Sequence, residues 1–223
     1  MVRIENCGGL TMVQYSLKFT NQSSLSGQLS LYMRQADQDS NIFSVGRSSA
    51  ICMPGVTATV SWNDTFCLVW GEPGTLHQGS IFSPRQVLQV SPGDTLGLEG
   101  DASACSFVRK GQVVAPDSFG IKVGSGIPNH TYSIGLGMGD WAALVCEAGP
   151  NLLYTFPATG LAYWAIFGNF KDGWLFDPRY FMDTTKNSLK AFSTSPIPLV
   201  FPPNIFSLNV VLGNDNILKI AEQ

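Results

Sequence analysis

The sequence predicts an all-β protein, because short runs of alternating apolar and polar residues recur along it and Gly and Pro separate them. The most regular runs cover residues 15–20, 28–34 and 56–62, and Pro-Gly steps occupy turn positions at 54–55, 73–74 and 92–93. No stretch of eleven residues carries a helical apolar stripe without Gly or Pro. We therefore predict a single-domain antiparallel β-sandwich or barrel-like fold, with helix below about a tenth of the chain.

Each predicted strand follows from its own pattern. Residues 15–34 indicate a hairpin, since two alternating runs flank a polar turn at 21–27. Residues 66–70 are continuously apolar, which is typical of a strand buried on both faces. A four-residue loop at 213–216 predicts a C-terminal hairpin. Further strands are predicted at 119–123, 131–138, 142–146, 152–156, 161–170, 174–176, 205–212 and 217–220, with one helical turn near 184–189.

Three glycines alternate within one of these strands. Gly135, Gly137 and Gly139 leave one side of the strand without side chains. A phosphate-binding loop would need a following Lys-Ser or Lys-Thr and a helix, and neither is indicated. We interpret the glycines as marking either close approach of another backbone or a β-bulge.

A length of 223 residues fits one domain. We predict a flexible N-terminal extension over residues 1–11 and a single β domain over residues 12–223. No apolar run reaches the roughly 18 residues that cross a bilayer, and no secretory signal is visible. The predicted location is cytoplasmic, with secretion by an unconventional route left open.

The chain carries few charges. Asp, Glu, Lys and Arg make up 13% of residues, against roughly 25% in an average chain. Copies of such a protein repel one another weakly, so we predict self-association. The net charge of -3 provides no basic surface for phosphates, which excludes nucleic acid as a partner.

The residues that support common chemistry are sparse. Five cysteines occur without a CxxC pair, so no zinc site is indicated and most thiols are predicted to be unpaired. His77 and His130 are the only histidines, and neither lies beside a serine nucleophile motif. We therefore expect no catalytic residue, no metal and no required cofactor, and we predict that the protein is not an enzyme.

Aromatic residues are concentrated between 151 and 177. Burial in the core is the simplest explanation for any one ring, but a short strand cannot bury rings on both faces. We predict that Tyr154, Tyr163, Trp164 and Trp174 contact a ligand or second subunit, because Tyr and Trp bury a ring while keeping a polar tip accessible. Coverage by residues 205–212 is the alternative. The rings are Tyr154, Phe156, Tyr163, Trp164, Phe167, Phe170, Trp174 and Phe176.

Several short sequence segments resemble those of the rhizosphere-induced proteins of root-associated bacteria. They include YSLKFTN at 15–21, GLGM at 135–138, AGPN at 148–151, and Tyr163-Trp164 followed by Phe167-Gly168. Their order agrees from about residue 15 to 173, and little is recognisable beyond 177. The resemblance implies an all-β protein and transfers no catalytic residue.

Two functions follow from these observations. The first is a non-catalytic, oligomeric binding protein that holds a small apolar or conjugated ligand, carotenoid- or lipid-like, against its aromatic side chains. Six methionines would help to fill an irregular apolar site. The alternative is a carbohydrate-binding (lectin-like) or self-assembling surface protein, in which exposed rings stack on a glycan.

Overall fold

The computed structural model describes residues 6–7, 10–11, 13–35, 38–112, 114–177, 192–193 and 195–221. Within these ranges the chain forms β-strands and no helix, which confirms the all-β prediction. Accordingly, this part of the chain has no helix of the length and apolarity that crossing a membrane requires. The helical turn predicted near 184–189 and most of the predicted extension at 1–11 lie outside the described residues, so the domain division stays a prediction.

The described ranges contain twenty strands. In chain order they are β1 (Asn6–Cys7), β2 (Leu10–Thr11), β3 (Gln14–Asn21), β4 (Gln28–Gln35), β5 (Phe43–Val45), β6 (Arg47–Ser48), β7 (Thr57–Asn63), β8 (Phe66–Glu72), β9 (Ser83–Gln89), β10 (Asp94–Gly100), β11 (Cys105–Gln112), β12 (Ser118–Val123), β13 (Ser133–Met138), β14 (Trp141–Glu147), β15 (Leu153–Pro157), β16 (Leu161–Gly168), β17 (Leu175–Phe176), β18 (Ile197–Leu199), β19 (Ser207–Leu212) and β20 (Leu218–Ala221).

Apart from the β1–β2 ladder, the strands form four sheets. In spatial order, sheet I is β20-β19-β3-β7 and sheet II is β18-β16-β4-β6. Sheet III is β17-β5-β14-β13-β8-β9, and sheet IV is β11-β10-β12-β15. Neighbouring strands are antiparallel except for two pairs, β3 with β19 and β10 with β12, which are parallel. The architecture is therefore mostly antiparallel, as predicted, with two parallel contacts that the sequence did not indicate.

The predicted hairpin over residues 15–34 is wrong, although both of its strands exist. β3 pairs with β7 and β19 in sheet I, whereas β4 pairs with β6 and β16 in sheet II. The two strands face each other across a shared core that contains Leu17 and Leu31. The rings of Phe19 and Phe167 meet there with centroids 5.3 Å apart. Each strand buries an apolar face, and packing face to face covers both.

The buried side-chain amide of Asn21 fixes the chain where it passes from β3 in sheet I to β4 in sheet II. Asn21 is 0% exposed, and its Nδ2 donates to the carbonyl oxygens of Leu25 and Cys52 at 2.6 and 3.0 Å. Its Oδ1 accepts hydrogen bonds from the backbone and hydroxyl of Ser23 at 3.0 and 2.8 Å. The turn predicted at 21–27 thus becomes a fixed link between sheets. The predicted C-terminal hairpin is confirmed, because β19 and β20 pair antiparallel.

Sheet III contributes one face to two cores. Trp141 and Ala143 of β14 join the core between sheets I and II, whereas Leu144 packs in the core that sheet III shares with sheet IV. The change occurs where the β13–β14 register shifts between Leu136 and Gly137. A bulge of this kind bends a strand, which lets one face of sheet III pack into both cores.

The alternating glycines of β13 are sites of close backbone approach, as predicted. A Cβ on Gly135 would lie 2.0 Å from the carbonyl oxygen of Leu144, and one on Gly137 would lie 2.4 Å from that of Trp141. Neither distance is compatible with a side chain, because real carbon–oxygen contacts are longer than 3 Å. These glycines are therefore required for the β13–β14 pairing.

We predict that Gly135→Ala lowers the free energy of unfolding by about 3 kcal/mol, because the methyl group has no space in a packed sheet. Gly160→Ala is the control. A Cβ there has nothing within 4 Å but φ is 74°, so backbone strain alone should cost about 1 kcal/mol. Urea unfolding measures both. An equal loss in the two variants would contradict the close approach at Gly135.

Four cysteines have described side chains, and all are free thiols: Cys52, Cys67, Cys105 and Cys146. This confirms that most of the five are unpaired. Burial raises the pKa of Cys67 and Cys146 to about 12 and that of Cys105 to about 11. Because the thiolate is the reactive form, these thiols should react slowly in the folded protein.

We predict that alkylation at pH 8 leaves Cys67 and Cys146 unmodified in native protein and modifies both after unfolding in urea. Peptide mapping by mass spectrometry measures this. Reductant should leave the melting temperature unchanged, whereas losing a structural disulfide usually costs about 2–5 kcal/mol. A large drop in melting temperature under reductant would show that a disulfide exists.

Candidate functional site

The exposure of the eight aromatic side chains between residues 151 and 177 depends on residue type. Every Phe is at least 99% buried: Phe156, Phe167, Phe170 and Phe176. Every Tyr and Trp keeps partial exposure: Tyr154, Tyr163, Trp164 and Trp174. The four side chains selected from the sequence are therefore those with accessible ring surface. Contact with a ligand stays a prediction.

The structure does not bring these four rings into one site. Trp164 and Trp174 pack against the same buried cluster on the outer face of sheet II. Tyr163 lies on the opposite, inward face of β16, in the core between sheets I and II. Tyr154 lies on β15 and packs in the core between sheets III and IV. The rings therefore border three separate regions.

Tyr163 belongs to a group of five rings at the edge of the core between sheets I and II. We call this group the ring cluster; it consists of Tyr15, Trp62, Tyr163, Phe201 and Phe206. Trp62 is buried, and the other four rings are partly exposed. The residues come from β3, β7, β16 and the segment after β18, so the cluster joins both sheets.

Tyr15 is at the centre of the ring cluster. It stacks on Trp62 with a centroid distance of 5.7 Å and an interplanar angle of 12°. Phe201 and Phe206 meet its ring edge-on at 5.0 and 5.6 Å, and Tyr163 lies 6.0 Å away. These offset and edge-to-face distances are the favourable ones for aromatic pairs. The result is a continuous apolar surface with two phenol hydroxyls.

The hydroxyl groups of the ring cluster are neutral at physiological pH. Tyr163 donates its hydroxyl to Met138 Sδ at 2.7 Å, and burial raises its pKa to about 12. Burial, and secondly the nearby Asp64 carboxylate, raises the pKa of Tyr15. The surface therefore offers apolar contact and neutral polar tips, which suits an uncharged ligand.

The face of Trp164 is already in contact with a cation. The Arg34 guanidinium carbon lies 5.1 Å from the ring centroid, within cation–π range. Trp174 packs edge-on against Phe170 at 5.9 Å. Its ring also approaches Gly79, where a Cβ would lie 3.0 Å from Trp174 Cζ2. Both indoles thus have structural partners within the chain.

Tyr154 borders a cavity of about 370 Å³. Its hydroxyl accepts the Gly149 backbone N–H at 2.8 Å. Glu147 lies on the same cavity and joins two partners, the backbone N–H of Leu76 at 2.9 Å and His130 Nδ1 at 2.9 Å. Tyr154 therefore has a structural role beside a carboxylate–imidazole pair.

A carboxylate–imidazole pair is half of a nucleophilic catalytic device, whose other half is a hydroxyl or thiol hydrogen-bonded to the imidazole. Across the described ranges, no Ser, Thr or Cys side chain hydrogen-bonds to His130 or His77. Those ranges also contain no group of three His, Cys, Asp or Glu residues that could hold a metal ion. The expectations of no catalysis and no metal stay predictions.

A polar groove of about 460 Å³ lies on the outer face of sheet III. Its floor includes Val45, Phe82 and Ala142, and its rim carries Arg47, Asp140 and Asp172. Arg47 Nη1 and Asp140 Oδ1 are 2.6 Å apart, and this hydrogen bond lowers the pKa of Asp140. The carboxylate is therefore charged at neutral pH.

A family model described as RhiA matches residues 12–223. The chain belongs to the RhiA family. A curated relative, Protein RhiA of Rhizobium leguminosarum bv. viciae, is 29% identical over 213 residues, which cover 91% of this chain and 84% of the relative. No solved structure matches the chain. The predicted resemblance to rhizosphere-induced proteins is confirmed, and it extends beyond residue 177.

Sequence reasoning missed most of the residues around Tyr163 in this RhiA family member. Tyr15 and Trp62 become neighbours through the β3–β7 register, which sets them directly opposite each other. Both lie in strands that were predicted, so correct strand pairing was the missing information. Phe201 precedes Pro202 and Pro203 in a segment without a regular pattern, and no local signal indicated it. Phe206 lies in the predicted strand at 205–212, the segment named as the alternative cover for these rings, and it packs on Tyr15.

We predict that Tyr163 makes the protein less stable at alkaline pH. Unfolded tyrosine loses its proton near pH 10, whereas folded Tyr163 keeps its proton up to about pH 12. The stability from the neutral hydroxyl is therefore complete below about pH 10 and is lost as the pH rises to about 12. Urea unfolding at intervals from pH 8 to 12 should show a shallower fall for Tyr163→Phe than for the unmodified protein. Parallel curves would contradict the burial of this hydroxyl.

Proposed function

We propose that this RhiA family member is a non-catalytic binding protein whose ring cluster holds a small apolar or conjugated ligand. The observation that carries the proposal is the ring cluster itself. Four partly exposed rings from different parts of the chain meet there, with Tyr15 at their centre and the buried Trp62 stacked on it. A carotenoid- or lipid-like molecule is the class of ligand that such a surface favours.

The energetic argument is burial of apolar area. Covering partly exposed rings releases water, which contributes roughly 25 cal/mol per Å². The hydroxyl of Tyr15 provides a polar group that can orient a ligand carrying an oxygen, whereas the Tyr163 hydroxyl already donates its hydrogen to Met138 Sδ. Because the rings are already packed edge-on and stacked, little side-chain entropy is lost when a ligand binds.

Phe201 lies beside an exposed apolar residue. Val200 is 70% exposed, so the apolar surface continues beyond the rings. A second copy of the chain that covers the same surface would account for the predicted self-association. Native mass spectrometry distinguishes the two arrangements, since it reports both the subunit count and any retained small molecule.

Carbohydrate binding is the second candidate function, and the groove is the observation that favours it. Arg47, Asp140 and Asp172 place charged hydrogen-bonding groups around an apolar floor there. Near the ring cluster, the Asp64 carboxylate raises the pKa of Tyr15, but its Oδ1 already accepts the Val13 backbone N–H at 3.1 Å. The two candidates therefore use different parts of the molecule.

We predict that the neutral apolar fluorophore N-phenyl-1-naphthylamine binds the folded protein and quenches tryptophan fluorescence, because Trp62 lies directly beneath Tyr15. Phe201→Ala and Tyr163→Ser should each weaken binding at least tenfold, since both remove ring surface. Fluorescence titration measures the dissociation constants.

Tyr154→Ser is the matched control, because Tyr154 is also a partly exposed strand tyrosine but lies outside the ring cluster. It should change the dissociation constant less than twofold. Near-UV circular dichroism verifies that each variant is folded. Binding that survives Phe201→Ala and Tyr163→Ser, or that is lost only in Tyr154→Ser, would contradict the proposed site.

A further inference from the structure

The groove is formed by four segments that are distant in sequence, one of which is residues 81–84. Arg47 and Ser48 form β6, Asp140 lies in the β13–β14 turn, and Asp172 precedes Gly173. Gly173 has φ of 77°, and a Cβ there would lie 2.6 Å from the carbonyl oxygen of Phe82. The Phe82 backbone N–H donates to the Gly173 carbonyl at 2.8 Å. This contact holds the two groove walls in a fixed relation.

Each rim carboxylate has one oxygen in a structural hydrogen bond. Asp140 Oδ1 accepts from Arg47 at 2.6 Å, and Asp172 Oδ1 accepts the Ser48 backbone N–H at 3.0 Å. The Oδ2 atoms of both residues have no hydrogen-bond partner among the residues that the structure describes. An ionised carboxylate accepts through both oxygens, so two fixed acceptors remain for a ligand.

The charged groups on the rim of the groove favour a neutral ligand over an anionic one. Two carboxylates and one guanidinium give a formal charge of -1, so a phosphate or another anion would be repelled. A neutral ligand with several hydroxyl groups fits better. Its hydroxyls can donate to Asp140 and Asp172, and the unpaired N–H groups of Arg47 can donate to its oxygens.

The walls provide the apolar contact that a sugar ring needs. Ile81 is 40% exposed and lines the groove beside Pro84, above the buried floor of Val45 and Ala142. The C–H face of a pyranose can pack on such a surface while its hydroxyls reach the rim. The volume of about 460 Å³ lies within the 300–1,000 Å³ that is typical of small-molecule sites.

We propose that the groove binds a neutral saccharide, with Asp172 and Asp140 accepting its hydroxyl hydrogens and Arg47 donating to its oxygens. This assignment rests on the second candidate function, carbohydrate binding, and names its site. It is independent of the ring cluster, which shares no residue with the groove.

The test uses the full chain on an array of neutral and acidic glycans, followed by calorimetric titration with the neutral glycan that binds best. We expect Asp172→Asn to weaken binding at least tenfold. Asparagine keeps an oxygen for the Ser48 N–H but replaces the free acceptor with a donor. Asp101→Asn is the matched control, because exposed Asp101 also accepts a backbone N–H, from Ser103 at 2.8 Å. It should change affinity less than twofold.

Three results would overturn the assignment: no binding to any neutral glycan, binding confined to acidic glycans, or equal affinity for Asp172→Asn and unmodified protein. Arg47→Met provides a second variant with the same expected loss, in case Asp172→Asn does not fold. The naphthylamine titration on the same samples separates the two proposals. Groove variants should leave that titration unchanged, so a failure of saccharide binding says nothing against the ring cluster.

Discussion

A fully buried amide at the end of β3 holds the first two sheets in their relation. Asn21 uses both ends of its side chain, and its backbone also bonds the segment that leads into β7, through Gly55 and Val56 at 2.7 and 3.0 Å. Removing the side chain would leave the part-buried carbonyl of Leu25 and the buried carbonyl of Cys52 without this donor, which is costlier than losing a solvent-exposed hydrogen bond. This link lies at one end of the face-to-face packing of β3 and β4, and the ring cluster lies at the other end of β3, where Tyr15 pairs with Trp62.

The second organising element is sheet III, which serves both cores and carries the groove on its outer face. The bulge in β13–β14 sends Trp141 to one core and Leu144 to the other. The opposite face of the same strand presents Ala142 to the groove. A substitution in β14 therefore acts on core packing and on a candidate binding site together, and stability must be measured in any variant of this strand.

Strand positions were largely predictable from the sequence, because alternation reports directly which residues face a core. Strand partners were not, as the predicted hairpin of β3 and β4 shows, since face-to-face and edge-to-edge contacts use the same alternating pattern. The edge strands β9 and β11 were missed because most of their side chains are exposed, which removes the apolar signal. Among the candidate residues, choosing Tyr and Trp over Phe selected the accessible rings. The four chosen rings lie in three separate regions because their strands join different sheets. No local sequence pattern contains that information.

The parallel pairing of β3 with β19 has a consequence for how the chain acquires its structure. Ser16 and Ser207, whose hydroxyls lie 3.0 Å apart, are separated by 191 positions. β3 is an interior strand of sheet I, with β7 on one side and β19 on the other. During synthesis, one edge of β3 stays unpaired until β19 has left the ribosome, and an unpaired edge next to apolar residues is prone to association with other chains. Loop closure over that distance also slows folding. Shortened forms of the protein that lack β19 should therefore accumulate as aggregates in the cell, whereas a chain that includes β19 protects its own edge.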